Sequence, residues 1–142
     1  MIIPTKDQQG NPNGYLHLLW NANEQPDMRP DQVYLTVIAP GCCKGPHLHH
    51  KRRGWFHVIK GEVRIRIVNY ERNSITGALL GGEGLQSIGV APGEGACLYN
   101  AGQGEAWVIN MPSPAYDPND PDEHVPENWQ HPDWWLKIQE GR

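Results

Sequence analysis

Two histidines one residue apart, His47 and His49, stand between two glycines: they follow Gly41 by six and eight residues, and Gly61 follows His49 by twelve. Residues i and i+2 of a strand share a face, so both imidazoles leave the chain in one direction. The glycines supply the backbone freedom that turns need. Beyond Gly61 the alternation is clean, with Val63, Ile65 and Ile67 on one face and Arg64 and Arg66 on the other. That period of two belongs to a half-buried strand. The chain is thus built for short strands joined by turns, with a histidine pair carried to one side of a sheet.

Further stretches read the same way. Gly14–Trp20, Gln32–Ile38, Trp55–Lys60, Leu85–Val90, Ala96–Tyr99 and Glu105–Asn110 are expected strands, and Lys60-Gly61-Glu62 is a tight connection. Residues 69–84 form a polar, glycine-rich excursion, expected as a hairpin with a loose tip. Sixteen glycines and thirteen prolines in 142 residues suit frequent turns, and no segment sustains a 3.6-residue apolar period over three turns. The fold class expected is all-β, and the length suits one domain, residues 1–142. Its barrel core is expected over about residues 30–110.

From Met111 the texture changes. MPSPAYDPNDPDEHVPENWQHPDWW holds six of the prolines and three of the six tryptophans. Proline at that density excludes a regular strand or helix. Tyr116, Trp129, Trp134 and Trp135 carry too much aromatic area to leave in water. Residues 111–142 are therefore expected to wrap across the barrel or a partner subunit.

A net charge of −4 argues against nucleic-acid binding through a basic surface. No apolar run of 18 residues exists, so no membrane span is expected. The opening MIIPTKDQQGN lacks the apolar length of a signal peptide. Three cysteines, two of them adjacent, make no disulfide framework. A reducing, cytoplasmic location is expected.

The Gly41–Gly61 frame resembles the first motif of the cupins, in which a glycine, His-x-His, a Glu and a second glycine follow at these spacings. The fold this implies is a jelly-roll antiparallel β-barrel. Ala91-Pro92-Gly93 and Asn100 resemble the second motif. Two positions depart from it: Gly54 stands where the motif has Glu, and Ala96 where it has His. In metal-binding cupins those two residues join the paired histidines as ligands, so the resemblance implies a dismantled metal site. KGPHLHHKRRGWFHVIKGEVRIRI, PGEGACLYNAG and NMPSPAYDPNDPDE further resemble cupins acting on nucleotide-activated sugars. These are the sugar 3,4-ketoisomerases, the C-terminal cupin of capsular polysaccharide biosynthesis epimerases and, more distantly, the dTDP-4-dehydrorhamnose 3,5-epimerases. The likeness covers about residues 35–123.

What the resemblance implies is an isomerase, an epimerase or ketoisomerase of a dTDP- or UDP-linked 4-keto-6-deoxy sugar in polysaccharide or deoxysugar biosynthesis. His47 and His49 fall where the ketoisomerases place their paired histidines, and His47 also lies near the epimerase base, so the resemblance implies His47 as the base. The epimerases use a tyrosine as acid on a later strand; Ile109 stands near that position, and Tyr99 and Tyr116 are the nearest substitutes. Dimers are usual in this group, so a homodimer is expected.

The chemistry suits the residues. A 4-keto group acidifies the neighbouring C–H, and a base plus a donor for the enolate suffice, with no redox cofactor. Histidine titrates near neutrality and is tuned by burial. His57, on the next strand, is equally a pocket residue or a core one. Lys44, Lys51, Arg52, Arg53, Arg64 and Arg66 form a positive cluster suited to a diphosphate, although a solvated strand face or turn would look alike. Trp55 and Tyr34 are candidates for stacking on a base, or simply core. No metal is expected, since Gly54 and Ala96 remove two ligands. Two other readings stay open: a metal-dependent dioxygenase or isomerase recruiting His47, His49, His57 and Cys97, and a non-catalytic sugar-binding cupin.

Overall fold

The computed structural model describes residues 1–72 and 74–126. Ten strands follow in order: β1 Ile2–Lys6, β2 Pro12–His17, β3 Tyr34–Ile38, β4 Cys43–Leu48, β5 Gly54–Lys60, β6 Glu62–Asn69, β7 Ser74–Gly81, β8 Ser87–Val90, β9 Glu94–Tyr99 and β10 Ala106–Asn110. No helix occurs among the described residues. Two four-stranded antiparallel sheets, ordered β3-β10-β5-β8 and β4-β9-β6-β7, pack face to face, and β1-β2 forms a separate hairpin. This is the jelly-roll β-barrel expected of a cupin.

Strand parity explains the core. Val63, Ile65 and Ile67 of β6 face Ile38 of β3, Val58 of β5 and Val108 of β10, all nearly inaccessible to solvent. Arg64 and Arg66 therefore lie on the outer face of their sheet. Gly61, between β5 and β6, has φ +76°, where a side chain would be strained. That connection is the tight turn expected.

Two stretches differ from expectation. β7 is a regular eight-residue strand paired with β6 along its whole length, from Glu62–Gly81 to Asn69–Ser74. Small residues weaken its own strand signal, and pairing with a strongly alternating partner supplies the order. β1 is the other: Pro4 at its centre breaks the local strand signal, and pairing with β2 supplies the order.

The start of the proline-rich segment lies across the barrel. Ser113 bridges to Arg53 and His124 to Leu48, and a β-carbon on Gly95 would meet Pro126 Cγ at 3.0 Å. Trp129, Trp134 and Trp135 lie outside the described residues.

Candidate functional site

The apolar core fills one end of the space between the sheets. At the other end the facing residues shrink or become polar, and a cavity of about 290 Å³ opens. β4 lends it Lys44 and His47, and the β4–β5 connection lends His49 and Arg52. Gly54 and Phe56 come from β5, and Glu94, Ala96 and Leu98 from β9. Tyr34, Thr36 and Asn110 close the wall opposite. Size and mixed lining suit a small-molecule site.

Lys44 and His47, three apart, would face opposite sides of a regular strand. The register between β4 and β9 slips there: Lys44 pairs Leu98, but His47 pairs Ala96. The extra residue on β4 is a bulge that turns both side chains to the cavity. Gly45 makes it possible. Its φ is +95°, and a β-carbon would sit 2.8 Å from the Ala96 carbonyl oxygen.

His47 and His49 are stacked with ring centroids 6.2 Å apart. His49 is fixed from behind: its Nδ1 lies 2.5 Å from the Asp122 carbonyl oxygen. A carbonyl only accepts, so Nδ1 carries the proton and Nε2 is the basic nitrogen. Burial lowers the His49 pKa; the bond to Asp122 pulls the other way, and the Arg52 charge adds to the lowering. His49 is thus a neutral imidazole at neutral pH.

Asp122 holds the whole turn. Its carboxylate accepts the backbone N–H groups of His50, Lys51 and Arg52 at 2.8, 2.9 and 2.9 Å. Burial alone would favour its neutral form. The three donors and nearby His49 overcome that and hold the carboxyl at about 2. The backbone at Asp122 is itself left-handed, φ 50°. Arg52, 7% exposed, lies with its guanidinium carbon 5.7 Å from the Tyr116 ring centroid.

The sequence candidates divide. Lys44, His47 and His49 meet in the cavity. Arg52, Tyr34, Gly54 and Ala96, noted without being central, meet there too. Tyr116 touches the site only through Arg52. The others are placed elsewhere. His57 is on the outer face of β5, 1% exposed, with Nε2 2.8 Å from His17 Nε2. Trp55, of the same parity, donates to the Leu19 carbonyl and shares an outer groove with Arg53. Lys51 is exposed and paired with Asp120 at 2.7 Å. Arg64 and Arg66 are on the outer face of β6. Tyr99 follows cavity-facing Leu98 and so points out, against Cys97 and Val68. Glu94, Asn110 and Asp122 were missed. The Tyr-Asp-Pro-x-x-Pro-Asp close contained Asp122, but nothing local ties it to His49.

The metal donor set is tested by the same geometry. Gly54 and Ala96 line the cavity with both histidines, so the two substitutions fall inside the site itself. Among the described residues no three His, Cys, Asp or Glu side chains converge as ligands. The residues present do not fit a four-ligand cupin metal centre.

The sequence profile of the polysaccharide biosynthesis C-terminal domain matches residues 14–124. No curated protein matches the sequence. Among solved structures, the capsular polysaccharide assembling protein CapF from Staphylococcus aureus is similar: 28% identity, TM-score 0.62, 68% of this chain and 29% of that chain covered. The chain thus corresponds to less than a third of that protein. A dTDP sugar isomerase from Desulfovibrio desulfuricans G20 covers 92% of this chain and 82% of its own at TM-score 0.74 and 14% identity. The dTDP-6-deoxy-D-glucose-3,5-epimerase RmlC from Legionella pneumophila Philadelphia 1 covers 88% and 68% at TM-score 0.69 and 18% identity. These last two share the fold. The matched span takes in the histidine pair, the Gly54 and Ala96 positions and the Asp122 strap, and the chain belongs to the polysaccharide biosynthesis C-terminal domain family.

Proposed function

We propose that the protein is an epimerase or ketoisomerase of a nucleotide-linked 4-keto-6-deoxy sugar, with His49 as the base and no metal in the reaction. One observation carries this: a neutral imidazole, oriented through Nδ1, in a cavity that also holds a buried arginine. The names of the structural neighbours, a dTDP sugar isomerase and a dTDP-sugar epimerase, support the substrate class.

His49 Nε2 takes the proton next to the keto group. The C–H electron pair moves into the enolate, and the Asp122 carbonyl stabilises the imidazolium through its Nδ1–H bond. The proton then returns to carbon, from His49 or from His47 beside it. Arg52 and Lys44 are the cations of the cavity and suit the diphosphate or the enolate oxygen. The Arg52 charge also keeps His49 unprotonated at rest, which a base requires.

The test is exchange of the sugar C–H with D₂O, followed by proton NMR on dTDP- and UDP-4-keto-6-deoxyglucose. His49→Asn is expected to slow exchange about 100-fold or more, and His47→Asn to act less. Unchanged exchange in both variants would overturn the assignment. Ligand-induced stabilisation without any exchange, for every sugar tried, would favour a binding cupin instead.

A further inference from the structure

Asn110 is the one polar residue of β10 among the strand's inward positions, where Ala106 and Val108 belong to the core. It is 6% exposed. Its Nδ2 donates to the Tyr34 hydroxyl oxygen at 2.6 Å, while its Oδ1 is buried with no hydrogen-bond partner. An unpaired buried acceptor is destabilising, and folded proteins rarely retain one without use. Asn110 lines the cavity. A β-carbon on Gly54 would lie 3.7 Å from Oδ1, so a longer side chain at that position would take up the space next to this atom. Gly54 is the position where the metal-binding motif has Glu.

We infer that Asn110, Tyr34 and the space kept open by Gly54 form a hydroxyl-reading subsite for the sugar ring, in the place a cupin metal ligand would occupy. Asn110 Oδ1 accepts from a ring hydroxyl. The Tyr34 oxygen already accepts from Asn110, which leaves its own O–H to donate to the adjacent ring oxygen substituent. Acceptor and donor side by side match two vicinal oxygens, one hydroxyl and one hydroxyl or ketone. The pair lies on the wall made by β3 and β10, across from the β4 histidines, so a ring held by it lies between reader and base. Loss of the motif Glu, on this view, is what gives the site its specificity.

This rests on the sugar-nucleotide reading, and binding measurements separate the two. The probes are dTDP, UDP, dTDP-glucose and UDP-glucose, then the 2-, 3- and 4-deoxy forms of the preferred conjugate, titrated by calorimetry. Wild type is expected to lose about 10- to 100-fold in affinity for one deoxy form. Asn110→Leu is expected to lose as much for the parent sugar, nothing further for that deoxy form, and nothing for the nucleotide alone. Such non-additivity marks one shared contact. Tyr34→Phe, which changes the partner atom alone, is expected to lose discrimination without loss of folding and stands in if Asn110→Leu is unstable. Equal affinity of wild type for every deoxy form overturns the subsite and leaves the sugar-nucleotide reading intact. So does an Asn110→Leu effect that is the same for nucleotide and conjugate. Failure of wild type to bind any conjugate overturns both.

Discussion

Two of the histidine pairs among the described residues differ in their surroundings. His47 and His49 stack at 6.2 Å with the cavity before them. His17 and His57 meet edge to face at 4.4 Å, nitrogen to nitrogen, between the N-terminal hairpin and the outer face of β5. Each pair has one member, His49 or His57, that burial pushes toward its neutral form. In the cavity the imidazole bonds backward to a fixed carbonyl and keeps a nitrogen forward. Under the hairpin the imidazoles meet Nε2 to Nε2, and His57 Nδ1 is buried in packed protein with no hydrogen-bond partner among the described residues. The first arrangement leaves a base ready for a ligand, whereas the second attaches a hairpin. Residue type is alike and burial is not, and what the remaining nitrogen faces, a cavity or packed protein, distinguishes the two pairs.

The largest effect that can break this contrast is on exchange chemistry. His49→Asn should cost about 100-fold or more in C–H exchange, while His57→Gln should leave it within about threefold. Equal losses would erase the distinction.

Stability should respond next. Asp122→Ala removes three charge-assisted bonds to one turn and so loosens the segment whose backbone carbonyl orients His49. We expect about 2–3 kcal/mol of destabilisation in urea melts, with exchange slowed as well. Normal stability would show the strap to be dispensable.

The hairpin pair predicts its own pH dependence. Burial, then the neighbouring His17, lowers His57 to about 4 from the ordinary 6.5. Below pH 6.5 the unfolded chain takes up a proton that the folded chain refuses until about pH 4. Stability should therefore fall as pH drops through that window, by up to about 3 kcal/mol. His57→Gln should flatten the slope; an unchanged slope would place its cause elsewhere.

The smallest effect, and the sharpest, is a gain. Gly54→Glu with Ala96→His restores the motif donors beside His47 and His49. A β-carbon at Gly54 finds only ordinary contacts, 3.5 Å at nearest. Zinc at a hundred times its dissociation constant should then stabilise the double variant by about 2.7 kcal/mol and leave wild type unmoved in a thermal melt. A zinc response in wild type would reopen the metal reading.

Much of the barrel was legible because β6 alternates cleanly and β3, β5 and β10 are rich in β-branched and aromatic residues. Parity also held more than was taken from it. If Ile65 and Ile67 face in, Arg64 and Arg66 face out, and if Gly54 faces the cavity, Trp55 and His57 cannot. β4 was harder, since CCKGPHLHH lacks apolar alternation and its bulge reverses parity between Lys44 and His47. Asp122 and Asn110 could not be read locally. The first works on residues 70 to 73 positions earlier, and the second is informative only because one of its atoms has no partner.

The Asp122 strap also separates the shape of the pocket from its setting. The cavity walls come from β3 to β10, all complete by Asn110. A chain that has paired those strands has a pocket of the right shape, with its histidine unset and the 50–52 turn undocked. The strap's bonds span 70 to 73 residues, as far as the β3–β10 pairing, and each closes its loop at a cost in entropy. Shape and setting are therefore separable: on the proposed reading, the pocket is competent only where the segment around Asp122 has docked.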